Sequence, residues 1–249
     1  GDPVLPRWWR TIDKWSMGAV MALFCIGLLL GLAASVPLAE RNAQPAFYSV
    51  TRQLAFGGLA ILAMVLVSMM EPRQIRRLGL ELFAVTLVSL FLLPFFGTNY
   101  GKGAVRWFSI GFGSVQPSEF LKPGFIIVSA WLMAAAQDLN GPPGRAWSFG
   151  RLRIVVALLV RQPDFGQASL VLFGWGVVYF ISGAPMRILL VVGGLIVAGG
   201  VVAYGSSDHF AGRINGYLAA EIDPRTQIGY ATTAIQNGGF FGVGVGEGQ

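Results

Sequence analysis

Between Ser16 and Ala39 the chain reads SMGAVMALFCIGLLLGLAASVPLA, 24 residues without a charged side chain. At about 1.5 Å per residue, a helix of this length exceeds the roughly 30 Å hydrocarbon core of a bilayer. Lipid offers no partners to backbone N–H and C=O groups, so such a run crosses as a helix that bonds its own backbone. It is too long for a removable leader, and further apolar runs follow it at Gln53–Met70, Leu78–Phe96, Glu119–Ala136, Leu170–Gly183 and Ile188–Gly205. Composition agrees: 54% of the 249 residues are hydrophobic and 12% charged. That is about half the charge a soluble domain carries, too little to cover a water-facing surface. Mean hydropathy is +0.62. The bilayer is the expected solvent.

Eighteen Lys and Arg against 12 Asp and Glu give a net charge of +6. The basic residues stand singly or in threes between apolar runs, which orients a membrane protein and argues against nucleic acid. Arg7, Arg10 and Lys14 precede the first run, Arg73, Arg76 and Arg77 follow the second, and Arg145, Arg151 and Arg153 follow the fourth. Positive short loops stay in the cytoplasm, so the amino terminus is expected inside. Residues 1–15 then form a cytoplasmic tail, 16–205 the membrane domain and 206–249 a large outer loop. The single cysteine, Cys25, excludes an internal disulfide, and the single histidine, His209, excludes most zinc sites and imidazole relays.

A fifth crossing is less plain. Between Arg153 and Arg161 only Ile154 to Val160 are apolar, about 10 Å of helix. A crossing here must borrow polar flanks, sheltered by tilt or by protein, or else stay incomplete and invert the later loops. The crossing is kept, which gives about seven spans.

Three segments carry polar residues suited to chemistry. In the first, Arg106-Trp107 is followed by Gln116-Pro117-Ser118-Glu119-Phe120-Leu121-Lys122-Pro123. Pro117 suits the first turn of a helix, which sets Glu119 near the positive end of its dipole and three residues from Lys122. One reading makes Arg106 an interfacial anchor and Glu119 with Lys122 a structural pair. The other makes Arg106 and Lys122 a wet cationic pocket for an anionic head group. In the second segment, Arg161-Gln162-Pro163-Asp164-Phe165-Gly166-Gln167, Asp164 either complements a helix dipole or binds a ligand or metal. The third is the tail beyond Ser206, ending in a glycine-rich string from Gly238 to Gly248 that lacks the strand and helix of a dinucleotide fingerprint. A mobile outer loop is expected there. Gly27 and Gly31 make a small-residue face for helix packing, and Glu81 stands near a cytoplasmic helix end.

In order, spacing and placement, the Arg106-Trp107 segment, Gln116 to Phe120 with Lys122, Gln162 to Gly166, and the Gly229 to Gly248 stretch resemble the FtsW/RodA (SEDS) family. The opening Trp8 to Trp15, and Ala39-Glu40-Arg41 leading to Arg52-Gln53, are more similar to its cell-division branch. The resemblance implies an all-α polytopic fold of about ten helices, of which this chain supplies about seven. It implies a glycosyltransferase of the bacterial inner membrane at the division septum, polymerising lipid II with a class B penicillin-binding protein and other divisome proteins. Arg106, Gln116, Glu119, Lys122 and Asp164 become substrate-binding candidates. No organic cofactor is implied, a divalent cation (Mg or Mn) is left open, and no metal ligands are assigned. The acid taken as catalytic in the family is expected beyond Gln249, so no residue here is given that role. A chain opening on Gly1 is expected to be a piece of a longer protein. A lipid II flippase and a non-catalytic interaction fragment remain alternatives.

Overall fold

The computed structural model describes residues 4–41, 47–98, 105–111, 113–138, 140–206, 208–218, 227–239 and 242. Helices α1 (Val4–Thr11), α2 (Lys14–Arg41), α3 (Tyr48–Ser68) and α4 (Pro72–Phe96) come first. A two-stranded hairpin follows, β1 (Phe108–Ser109) with β2 (Ser114–Val115), then α5 (Pro117–Ala135), α6 (Gly144–Arg161), α7 (Phe165–Ile181) and α8 (Met186–Ser206). The tail carries α9 (Asp208–Leu218) and α10 (Gln227–Gly238), helices where composition suggests a loop. Asp223, Pro224 and nearly all of the glycine-rich string lie outside the described residues. The fold is an all-helical polytopic one, and α2, α3, α4, α5 and α8 are each long and apolar enough to cross a bilayer unaided.

The chain divides into two compact units, Gly1–Met70 with Gly200–Gln249, and Glu71–Gly199. In the first, Gly27 and Gly31 of α2 lie against the Gln53 side chain of α3, which fits the expected small-residue packing face. The Trp8 indole donates to Ser68 Oγ at 2.7 Å, tying α1 to the end of α3. Asp13 precedes α2 and accepts from the Ser16 hydroxyl at 2.5 Å and the Trp15 amide at 3.0 Å. Those bonds, Ser16 first, hold its carboxyl below the usual carboxylate range.

The second unit contains the core. Each helix contributes a stripe at spacings of three and four, the signature of one buried face. The stripes are Phe83, Thr86, Leu90 and Leu93 of α4, Leu121, Phe125, Val128 and Leu132 of α5, Ser148, Leu152, Val155 and Leu159 of α6, and Ala168, Val171, Trp175 and Tyr179 of α7. Helices α4 and α5 run antiparallel in close contact. A Cβ built on Gly124 of α5 would stand 2.8 Å from the Phe83 nitrogen and 3.0 Å from the Gly79 oxygen, both backbone.

The segment expected as the fifth crossing forms a continuous 18-residue helix, α6. At about 1.5 Å per residue it is roughly 27 Å long. It begins where α5 ends, with Gly144 against the Leu132 carbonyl, and finishes at Arg161, beside the start of α7. One face of its polar first half is covered by protein, where Ser148 Oγ accepts from the buried Trp175 indole at 2.9 Å, while Arg153 and Arg161 are exposed rather than sheltered.

Replacing Gly124 by Ala should destabilise the unit by about 1–3 kcal/mol, because backbone cannot move aside as a side chain can. Gly18, which has nothing within 4 Å, should accept Ala without loss. Thermal unfolding in lipid nanodiscs reads both. The Asp13 cap contributes stability above the unfolded carboxylate pKa near 3.9, lost as pH falls through its lower folded value. The protection factor of the Trp15 amide, taken relative to its intrinsic exchange rate, should therefore fall as pH drops through the Asp13 titration, and be lower at neutral pH in Asp13→Ala.

Candidate functional site

Four helix ends meet at one end of the second unit: the finish of α4 and α6 and the start of α5 and α7. The hairpin delivers two of the candidates there. Its register pairs Phe108 with Val115 and Ser109 with Ser114, so Arg106 enters just before β1 and Gln116 leaves just after β2. Pro117 takes the first position of α5 with Gln116 as N-cap, as the sequence suggests. At α7 the proline sits two places earlier, so it does not open the helix as the sequence suggests. Pro163 lies in the preceding turn, Asp164 is the N-cap and Phe165 opens the helix.

Two side-chain rungs join α5 to α7. Gln116 Nε2 donates to Asp164 Oδ2 at 3.1 Å, and one turn on Gln167 Nε2 donates to Glu119 Oε1. Both helices use an i, i+3 pair, with amide and acid exchanged between rungs. The match in direction means that α5 and α7 start on the same side, so α6 returns between them.

Each acid also has a cation. Lys122 Nζ donates to Glu119 Oε2 at 2.6 Å, while Arg106 Nη1 stands 4.0 Å from Asp164 Oδ1. Arg106 has further duties: Nε donates to the Gln162 carbonyl at 3.1 Å and Nη2 to the Pro163 carbonyl at 2.7 Å. A guanidinium thus closes the carbonyl end of α6, where the helix dipole favours positive charge. All five candidates are brought together, Asp164 buried and Lys122 partly exposed. The charges balance in pairs, so the pocket is not a free cationic patch.

Gln162 and Gln167 belong to the site although the sequence reading assigned them no role. Pro94, inside α4, has no N–H for the Leu90 carbonyl four residues back. Gln162 supplies the missing donor, with Nε2 at 3.1 Å from Leu90 O, while 8% exposed. Only the proline inside a long apolar run hints at this need. The Ser118 hydroxyl and the Gln167 Oε1 are buried polar atoms left unpaired beside the rungs. An apolar groove of about 520 Å³ lies on the α4 and α6 side of the site, lined by Leu90, Phe91, Phe95 and Leu158 together with Arg161 and Gln162.

Among the described residues no three His, Cys, Asp or Glu side chains cluster as metal ligands. Asp164 and Glu119 are already held by amides and cations, so this donor set does not fit a divalent cation.

The fold and site define a multi-pass membrane protein whose helix ends converge on a charge-paired polar ladder. The chain belongs to the FtsW/RodA/SpoVE family, described as cell cycle protein, which matches residues 14–249. It is 36% identical to "Probable peptidoglycan glycosyltransferase FtsW" of Caulobacter vibrioides over 98% of this chain and 63% of that protein. It is 28% identical to stage V sporulation protein E of Bacillus subtilis, over 91% of this chain and 64% of that one. Among solved structures it is similar to the rod shape determining protein RodA of Thermus thermophilus, with a TM-score of 0.59 and 31% identity over 74% of this chain and 57% of that one. A second, titled as structural coordination of polymerization and crosslinking by a peptidoglycan synthase complex, gives a TM-score of 0.64 and 29% identity over 92% of this chain and 67% of that one. The chain spans a little under two thirds of the curated relatives' length.

Gln162→Leu should cost about 1–2 kcal/mol by stranding the Leu90 carbonyl. In a Pro94→Ala background, where the helix bonds that carbonyl itself, the same change should cost less than about 0.5 kcal/mol. A double-mutant cycle by thermal unfolding measures the difference.

Proposed function

We propose that this chain is part of a septal peptidoglycan glycosyltransferase, acting in the bacterial inner membrane on lipid II beside a class B penicillin-binding protein. The observation that carries the reading is the ladder at the α5 and α7 starts, in a chain of this family, next to an apolar groove. An isoprenoid diphosphate needs all three elements: an apolar track, positive charge for the diphosphate and hydrogen-bonding groups for sugar. The groove suits the track. Lys122 suits the charge, since its ammonium has three donors and spends one on Glu119.

In the proposed reaction an acceptor sugar hydroxyl attacks the anomeric carbon of the donor. The C–O bond to the diphosphate breaks, undecaprenyl diphosphate leaves with the bonding pair, and the hydroxyl proton passes to a carboxylate base. This reading assigns the base to a residue beyond Gln249 in a longer chain. Charge held ready at the leaving group lowers the barrier because it needs no reorganisation as the bond breaks. Arg106 then acts at one remove, fixing the α6–α7 turn and with it Asp164. Glu119 orients Lys122 and keeps its charge at the pocket rather than in bulk water.

The experiment is lipid II polymerisation, read on gels, by the longer natural protein that carries this sequence, with its penicillin-binding partner. Lys122→Met should lower the rate about 100-fold or more while membrane insertion stays normal. Lys122→Arg, which keeps the charge, should recover part of it. Lipid II crossing vesicles without polymer formation would favour transport instead, and unchanged polymerisation in Lys122→Met would remove Lys122 from the site.

A further inference from the structure

At the other end of α4, three arginines stand on one helical face around a small cavity. Arg73, Arg76, Arg77 and Leu80 follow at i, i+3, i+4 and i+7, and with Trp131 of α5 they line a space of about 270 Å³. All five side chains are exposed. This is the end that the positive-charge rule puts in the cytoplasm.

That rule accounts for basic residues near this end but not for their arrangement. Cations in the first turns of a helix oppose its dipole, whose positive pole lies there. Among the described residues no acid pairs with them. Among the described residues the ion pairs are Arg106–Asp164 and Lys122–Glu119, so none of the three reaches a carboxylate. Glu71, the nearest acid before them, is the N-cap of α4 and is tied to Gln74, whose side-chain oxygen accepts the Glu71 N–H at 2.8 Å. Glu81, one turn beyond Arg77, is exposed and forms no ion pair with it. Arg76 Nε is 3.4 Å from the Pro72 carbonyl, a weak bond that leaves its terminal nitrogens free.

The apolar half of the cavity sets the kind of anion. Leu80 lies about one turn deeper along α4 than the arginines, and Trp131 faces it from α5 near that helix's last turn. Tryptophan at such a level prefers the boundary between head groups and hydrocarbon. A free phosphate would use the arginines alone and leave this wall bare. A phosphodiester with acyl chains would use both.

We propose that Arg73, Arg76, Arg77, Leu80 and Trp131 form a binding site for one anionic glycerophospholipid of the adjoining leaflet. The phosphate sits among the guanidinium groups, and a chain lies along Leu80 and Trp131. Basic pockets between membrane helices hold lipid head groups in this manner, through charge assisted by planar hydrogen-bond donors. The site is separate from the ladder, so it stands or falls independently of the proposed reaction.

The test is native mass spectrometry of the whole 249-residue chain, released from nanodiscs of phosphatidylcholine with or without one fifth phosphatidylglycerol. One phosphatidylglycerol should stay bound under conditions that strip phosphatidylcholine. Each of Arg73→Gln, Arg76→Gln and Arg77→Gln should weaken retention about fivefold, and the triple variant should abolish it. Arg187→Gln, at the start of α8, should have no effect. Soluble glycerol phosphate should not displace the lipid. Equal retention of phosphatidylcholine by the unaltered protein would overturn the proposal without recourse to any variant. So would full retention in the triple variant, or displacement by glycerol phosphate at matched concentration.

Discussion

A carboxylate at the mouth of a membrane helix must have its charge answered locally, and Asp164 is where that requirement organises the fold. Only 7% exposed, it accepts from Gln116 and stands 4.0 Å from Arg106. Arg106 in turn grips the carbonyls of the α6–α7 turn, so one buried charge binds the start of α5 to the turn between α6 and α7. Breaking a buried pair by removing one partner strands the other, so these residues must be kept or lost together. The second rung, Glu119 with Gln167 and Lys122, repeats the arrangement at a more exposed level. Register between α5 and α7 therefore rests on polar contacts that tolerate little sliding. Apolar packing beneath them supplies area but not uniqueness.

The spans that face lipid were legible because lipid imposes hydrophobicity on every exposed position. Ser16–Ala39 belongs to α2, and the runs at Gln53, Leu78 and Ile188 belong to α3, α4 and α8. The helix α6 was legible only in part. Arg145, Arg151 and Arg153 interrupt its first half, and hydropathy cannot tell a helix sheltered by protein from one too polar to cross. Its stripe of Ser148, Leu152, Val155 and Leu159 was present in the sequence, but a stripe names a buried face without naming what covers it. In the tail, polar and glycine-bearing segments form α9 and α10, helices that composition alone does not signal.

Four of the five site candidates stood out because charge is rare in an apolar chain, and all five, the neutral Gln116 included, sit beside a proline or an aromatic residue. Their grouping was beyond the sequence: the distance from Gln116 to Asp164 along the chain is closed by the whole of α5 and α6. Gln162 and Gln167 carried no charge signal. The clue to Gln162 was Pro94, a residue whose missing N–H creates a demand far away in sequence. Pro123 makes the same demand at the Glu119 carbonyl, inside the ladder itself. At Pro94 the freed carbonyl has found its side-chain donor in Gln162, and the polar site is built partly from that backbone group.

Helices α5 and α7 start on the same side, in the register set by the two rungs, and α6 returns between them. Paired cysteines in a Cys25→Ser background, joined by a short thiol cross-linker in native membranes, measure that arrangement. Cross-linking is expected of Gln116→Cys with Asp164→Cys, and of Glu119→Cys with Gln167→Cys, but not of Glu119→Cys with Trp147→Cys at the far end of α6. Linkage of positions 119 and 147, or silence at both rungs, would contradict it.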